Sequence, residues 1–181
     1  MTDRRRLRLD VWCEDPRQAS FLRHLLAGLG FDKRRLEFHI APRGDGAAER
    51  WVLLQYPEAM RRLRSRNYQQ HLGLVIMRDG DRPGFARRVA EMDAALTAAA
   101  MPARGAAERV ALPFPQWCVE SWLLVLLGEA ADEAASDKQA FQSAHAGQET
   151  DAIRAAAAAW SGCPTPTPSM QAADAEIARL G

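Results

Sequence analysis

Lysine is nearly missing from this 181-residue chain. Lys33 and Lys138 are the only two, so 22 of the 24 basic residues are arginine. Arginine's planar fork suits bidentate phosphate contacts, so the bias is compatible with a phosphate-facing surface as well as with an Ala- and Arg-rich composition. Neither sign of charge dominates. The formal net charge of +1 excludes a global electrostatic pull toward nucleic acid. Cysteine is scarce too: Cys13, Cys118 and Cys163 are odd in number, far apart and form no CxxC. That pattern excludes a disulfide frame or a cysteine zinc site, and the expectation is reduced thiols in a cytoplasmic protein. His24, His39, His71 and His145 show no HxH or HExxH spacing, which argues against a histidine metal site. No apolar run approaches the length of a membrane span, and nothing apolar follows the basic start MTDRRRLRLD. Neither a membrane segment nor a secretory signal is expected. The chain lacks GxxxxGK[ST], which excludes P-loop nucleotide hydrolysis, and it has no internal repeat.

What is present is an alternation of periods. Leu7 to Cys13 (LRLDVWC) alternates like a strand, and Phe21, Leu22, Leu25, Leu26 and Leu29 then mark a helix opened by Pro16. Leu36 to Ile40 is a second strand. After the turn-rich PRGDGAAE, Arg50 to Arg66 reads as a helix broken or bent at Pro57. His71 to Met77, apolar on both faces, suits the middle of a parallel sheet. A long helix over Phe85 to Ala100, a short strand over Arg109 to Leu112 and an apolar helix over Gln116 to Leu127 complete the series. The order predicts an α/β fold, a mostly parallel sheet of about four strands sandwiched by helices. Residues 1–135 would be the main α/β domain, the one in which a catalytic site would lie. Residues 136–181 would be an alanine-rich helical extension, interrupted at CPTPTP before a last helix over Met170 to Leu180. The five tryptophans read as core anchors rather than a stacking platform for single strands.

Ligands of open parallel sheets bind beyond the carboxyl ends of the strands, and acidic residues collect there. Glu14 and Asp15 follow the first strand. Asp79 and Asp81 follow the third, in GLVIMRDGDRPG, and Glu120 lies within the apolar WCVESW. In extended backbone Asp79 and Asp81 point to the same side, and Gly80 between them would let a phosphate or metal approach the main chain. Hard carboxylate oxygens suit Mg²⁺ or Mn²⁺, which with substrate phosphate perform phosphoryl transfer. Each piece has an ordinary alternative. A DxD also occurs in solvated turns, Glu14-Asp15-Pro16 is a helix start signal, and Glu120 could simply accept from an arginine.

The set VWCEDP, VIMRDGDRPGFARRV and LPFPQWCVESWLL resembles the TOPRIM domain of topoisomerases, primases, ribonuclease maturases and OLD-family nucleases. It also resembles small stand-alone TOPRIM-like proteins thought to accompany ATPases of bacterial mobile-element defence. The resemblance covers about residues 7–135. It implies Mg²⁺ held by Glu14, Asp79 and Asp81, with Glu120 as a supporting catalytic position and nucleic acid as substrate. Arg43, Arg78 and Arg82 would contact substrate phosphate, and an ATPase would be a partner. Arg78 stands where that family more often has an apolar residue, and Asp15-Pro16 replaces its common Glu-Gly.

Two other readings stay open. The domain could be a binding or regulatory subunit that uses its acidic site weakly or not at all, which the near-neutral charge favours. It could also be another Mg²⁺ phosphotransferase, such as a haloacid-dehalogenase-like phosphatase, although that fold places its DxD after the first strand. Arg87 and Arg88, beside the DxD, either grip substrate backbone or form a solvated helix face.

Overall fold

The computed structural model describes residues 4–42, 47–66 and 71–181. Three of the four strands sit close to the expected positions: β1 (Arg8–Cys13), β2 (Leu36–Ile40) and β3 (Leu72–Met77). The fourth, β4 (Val110–Ala111), is only two residues long, because Pro113 and Pro115 follow at once and supply no N–H for a ladder. All four are parallel, in the order β2-β1-β3-β4. The α/β parallel sheet flanked by helices is therefore the fold.

Alternation along the strands divides the core in two. Leu9, Val11, Cys13, Val75, Met77 and Ala111 face one side; Trp12, Leu74, Ile76, Val110 and Leu112 face the other. The first side is covered by α1 (Pro16–Gly28), α4 (Val119–Leu126), α6 (Glu149–Ala159) and α7 (Pro168–Ala178). The second is covered by α2 (Ala47–Ser65) and α3 (Gly84–Ala98). Both faces buried is what an all-parallel sheet requires. Helix α2 runs through Pro57 without interruption, held down by Val52, Tyr56, Ala59 and Met60.

The alanine-rich segment is helical but divided. The short α5 (Lys138–Ala144) ends at His145, and Gly147 at φ +77° lies in the turn before α6 begins, a left-handed conformation that glycine adopts at little cost. Residues after 135 share the main core, with Phe141, Ile153, Ala156, Trp160, Met170 and Ile177 buried in one cluster with β1 and α1. The Trp122 indole donates to Ser169 Oγ at 2.7 Å, tying α4 to α7.

Helix α7 also closes one edge of the sheet. Arg179 Nε and Arg104 Nη1 donate to the Val110 carbonyl, and Glu176 Oε2 accepts the Leu112 N–H at 2.9 Å. Side chains thus satisfy the backbone groups that an open edge would offer to another chain. Among the described residues no helix is long and apolar enough to cross a membrane.

Candidate functional site

The strand order reverses between β1 and β3. The connection from β1 leads to β2 on one side, while β3 and β4 extend the other. Ligands of open α/β sheets bind at such a switch point, outside the carboxyl ends. Register brings the two ends level: Cys13 is paired with Met77 as well as with Ile40. The next residues, Glu14 and Arg78, open the rim, and Asp79 follows.

Asp15 takes the helix-capping role at the start of α1. Its Oδ1 accepts from the backbone N–H of Arg17 at 2.7 Å and of Gln18 at 2.9 Å, with Pro16 at the first helical position. Glu14 is left to turn inward. Its Oε2 accepts the backbone N–H of Asp79 at 3.0 Å, and its Oε1 accepts from Arg78 Nε at 3.3 Å. Burial raises the Glu14 pKa, and the Asp79 N–H and Arg78 oppose that rise.

Arg78 continues the face carrying Leu74 and Ile76, so it points under α3 rather than into solvent. Its side chain is fully buried and reaches Glu91 Oε2 at 3.4 Å as well as Glu14. The sequence placed Arg78 as a phosphate contact; its guanidinium faces the protein's own carboxylates.

Asp79 continues the opposite face, after Val75 and Met77, and is 3% exposed. Its Oδ1 accepts from Gln18 Nε2 at 2.9 Å, and its Oδ2 lies 2.6 Å from Lys138 Nζ. Desolvation pushes its pKa up to about 7; the Lys138 charge pulls down, and Glu120 and Glu14 push up. Desolvation lowers the Lys138 pKa, but the Asp79 charge outweighs it and the net direction is upward.

The extended backbone expected through the DxD is not what forms. Asp81 adopts φ +49° in a turn, a region that aspartate tolerates and most residues avoid. The turn carries its carboxylate toward α3, where Arg88 Nη2 donates to Oδ2 at 3.1 Å. Arg88 also donates to the Asp79 carbonyl at 3.2 Å and to Glu91 at 2.9 Å. It is buried, so neither the substrate grip nor the solvated face expected for it applies, whereas Arg87 and Arg82 are exposed. Gly80 is approached, but by the chain itself. A Cβ there would lie 2.2 Å from the Gln116 carbonyl oxygen and 2.3 Å from that of Pro115. The Asp81 N–H donates to the Trp117 carbonyl at 2.9 Å, which fixes the turn against the β4–α4 loop.

Glu120 sits in the first turn of α4, 1% exposed. One of its oxygens pairs with Arg17 Nη1, and Arg17 Nη2 reaches Glu149 at 3.0 Å. The other, Oε2, is buried without a hydrogen-bond partner. Arg43 lies outside the described residues. Cys13 and Cys118 are buried beside the rim, as small apolar side chains.

The rim therefore gathers Glu14, Asp79, Asp81 and Glu120, and meets each with a cation from the chain: Arg78, Lys138, Arg88 and Arg17. Sequence reasoning missed Arg17, Gln18, Glu91 and Lys138. The one available signal was compositional, since Lys138 is one of two lysines in an arginine-rich chain.

Among the described residues, no three His, Cys, Asp or Glu side chains are grouped so as to hold a metal ion as they stand. The rim carboxylates are paired with the chain's own cations and, as they stand, do not form a divalent-ion site. They offer hard oxygens at a switch point, and the buried Glu120 Oε2 still lacks a partner. Of the four cations, Lys138 is the one with a half-exposed side chain. Comparison with family models, with curated proteins and with solved structures finds no match to this chain.

Proposed function

We propose that this chain is a TOPRIM-like, Mg²⁺- or Mn²⁺-dependent nuclease that hydrolyses phosphodiester bonds of nucleic acid. One observation carries the reading. Glu14 and the Asp79–Asp81 turn meet at the β1/β3 switch point, with Glu14 hydrogen-bonded to the Asp79 backbone. The TOPRIM resemblance assigns the divalent ion to Glu14, Asp79 and Asp81, and such an ion would supply Lewis-acid activation of the phosphodiester and of a water.

The chain's own residues set the rest. Gln18 fixes the Asp79 carboxylate, and Arg88 fixes that of Asp81. Glu14, its pKa raised by burial, is the candidate to take or give the proton of the attacking water. Arg82, exposed on the turn, is the available phosphate contact, since Arg78 and Arg88 are committed inside. A nucleic acid substrate and an ATPase partner belong to this proposal.

Plasmid DNA and RNA, incubated with Mg²⁺ or Mn²⁺, supply the test. Wild type should nick or cleave, and Asp79→Ala combined with Asp81→Ala should lose the activity. Cleavage that persists in the double variant removes the assignment.

A second reading draws on the same rim. All four carboxylates are already matched by Arg78, Lys138, Arg88 and Arg17, the arrangement of a closed, non-catalytic binding or regulatory module. That reading expects no cleavage by wild type with any divalent ion. It expects co-purification with a partner to survive the double substitution.

A further inference from the structure

We infer that the amino-end face of the sheet, beside β1 and β2, docks the phosphate backbone of nucleic acid without reading its bases. This goes beyond the reading above. The surface lies at the opposite end of the strands from the acidic rim, about 20 Å away along a six-residue strand, and it requires no metal.

Charge is unevenly divided along the chain. Residues 1–109 hold 21 of the 24 basic residues and 14 of the 23 acidic ones, a balance of +7. Residues 110–181 hold 3 and 9, a balance of −6. The net charge of +1 therefore conceals two opposed parts.

The fold concentrates the positive one. A 3₁₀ turn, Arg4–Arg6, leads into β1, and a second, Lys33–Arg35, leads into β2. The strands are neighbours with Leu9 opposite Leu36, so the two basic runs come side by side. Arg35 Nη1 reaches the Arg6 carbonyl at 3.4 Å. Arg5, Arg6, Lys33, Arg34 and Arg35 are all exposed, whereas Arg4 is turned to the Gly181 and Leu29 carbonyls and the Phe31 ring. Arg23 on α1 lies over the Phe38 ring of β2 at 4.3 Å and extends the surface along the same side. Burial lowers the His24 pKa, and the charges of Lys33, Arg154 and Arg23 lower it further. Nearby carboxylates are occupied. Asp32 caps the second turn by accepting the Arg34 N–H at 2.9 Å, and Glu37 pairs with Arg8.

Chemistry selects the ligand. Four of the five exposed cations are arginine, whose planar fork matches phosphate oxygens. The apolar residues among them, Leu7, Leu9, Phe31 and Leu36, are buried. Stable membrane anchoring adds apolar insertion to charge, and these side chains are not placed to supply it. Among the described residues of this face no aromatic ring is exposed for base stacking, so contacts go to the backbone and carry no sequence preference. A duplex sets about one charge per 1.7 Å of its axis, and a surface of several cations meets several phosphates at once.

The experiment follows fluorescence anisotropy of a labelled DNA duplex of about 30 base pairs and of an RNA strand of similar length, in EDTA, over a series of KCl concentrations. Wild type should bind both, with affinity falling steeply as salt rises. Lys33→Gln combined with Arg34→Gln and Arg35→Gln should bind at least about tenfold more weakly, with a log–log salt slope shallower by about 2 to 3. Arg50→Gln combined with Arg61→Gln and Arg87→Gln makes the same charge change at exposed positions of α2 and α3, on the other side of the sheet. That control should stay within about twofold of wild type. A second readout needs no variant: acylation of Lys33, scored by mass spectrometry against Lys138, should slow several-fold when the duplex is added.

No binding by wild type, equal weakening in both triple variants, or an unprotected Lys33 would each overturn the inference. Binding to vesicles of anionic phospholipid without binding to nucleic acid would overturn it in favour of a membrane surface. Cleavage that depends on Asp79 and Asp81, with binding indifferent to Lys33, Arg34 and Arg35, removes this inference and leaves the nuclease reading. Docking through these residues without cleavage under any divalent ion does the reverse.

Discussion

Glu14 and Asp79 are 65 positions apart in the chain, yet the Glu14 carboxylate accepts the Asp79 backbone N–H at 3.0 Å. The bond fastens the end of β1 to the end of β3, and Arg78 secures it by donating to the other Glu14 oxygen. A buried charge pair gives little net stability, but breaking it by removing one partner is costly. Glu14→Gln should therefore destabilise by about 2–4 kcal/mol in urea denaturation. Combined with Arg78→Met, the loss should be smaller than the sum of the two single losses by at least about 1 kcal/mol. Strict additivity would mean that the two side chains do not act as a pair.

Asp79 predicts the pH dependence. Its folded pKa, about 7, lies above the ordinary aspartate value of 3.8, because burial penalises the carboxylate. A group raised on folding contributes stability that is complete below its unfolded pKa and is lost as pH rises through the folded one. Stability should thus fall from pH 4 toward pH 8 by an amount on the order of a few kcal/mol. Asp79→Asn should flatten that slope and melt higher than wild type at pH 8. A variant that melts lower at every pH would contradict it.

Gly80 is a packing position as much as a turn position. Gly80→Ala drives a methyl into two backbone carbonyls, of Pro115 and Gln116, which cannot rotate away as a flexible side chain could. Unfolding free energy should drop by about 3 kcal/mol or more. Gly28, where a Cβ would meet nothing within 4 Å, is the control, and alanine there should be tolerated. Similar melting temperatures for both variants would refute the close approach.

Glu176 holds the far edge of the sheet. It pairs with Arg104 and accepts the Leu112 N–H at 2.9 Å. Glu176→Ala leaves a partly buried N–H and a partly buried guanidinium without that carboxylate, at a cost of about 2 kcal/mol. The freed edge next to β4 should also raise aggregation on heating, measured by light scattering. An unchanged melting point with unchanged scattering would show that α7 does not protect this edge.

The readable parts of the fold were those written in a local period. Alternation marked β1, the doubly apolar run marked β3, and the Asp15-Pro16 signal is a true cap. The misreadings fell where a distant element overrode local preference. Of the break or bend expected at Pro57, the break does not occur, because Val52, Tyr56, Ala59 and Met60 hold α2 on the sheet. The alanine-rich segment was read as helical without its division, and it forms two helices, α5 and α6, with Gly147 in the turn between them. In the site, the acidic members were visible because a carboxylate among apolar residues stands out. Their partners were not, because Arg17, Arg88 and Lys138 look like surface residues in sequence.

Sequence by itself determined the elements, their order and the acidic residues at the strand ends, since side-chain period and turn chemistry act over a few neighbouring residues. Tertiary structure alone decided the strand order, the inward path of Arg78 and the cation that meets each carboxylate. The reason is physical. Charge pairing and desolvation depend on separations of a few ångströms between side chains far apart in the chain, 103 positions for Arg17 and Glu120 and 132 for Arg17 and Glu149, and no local pattern encodes them.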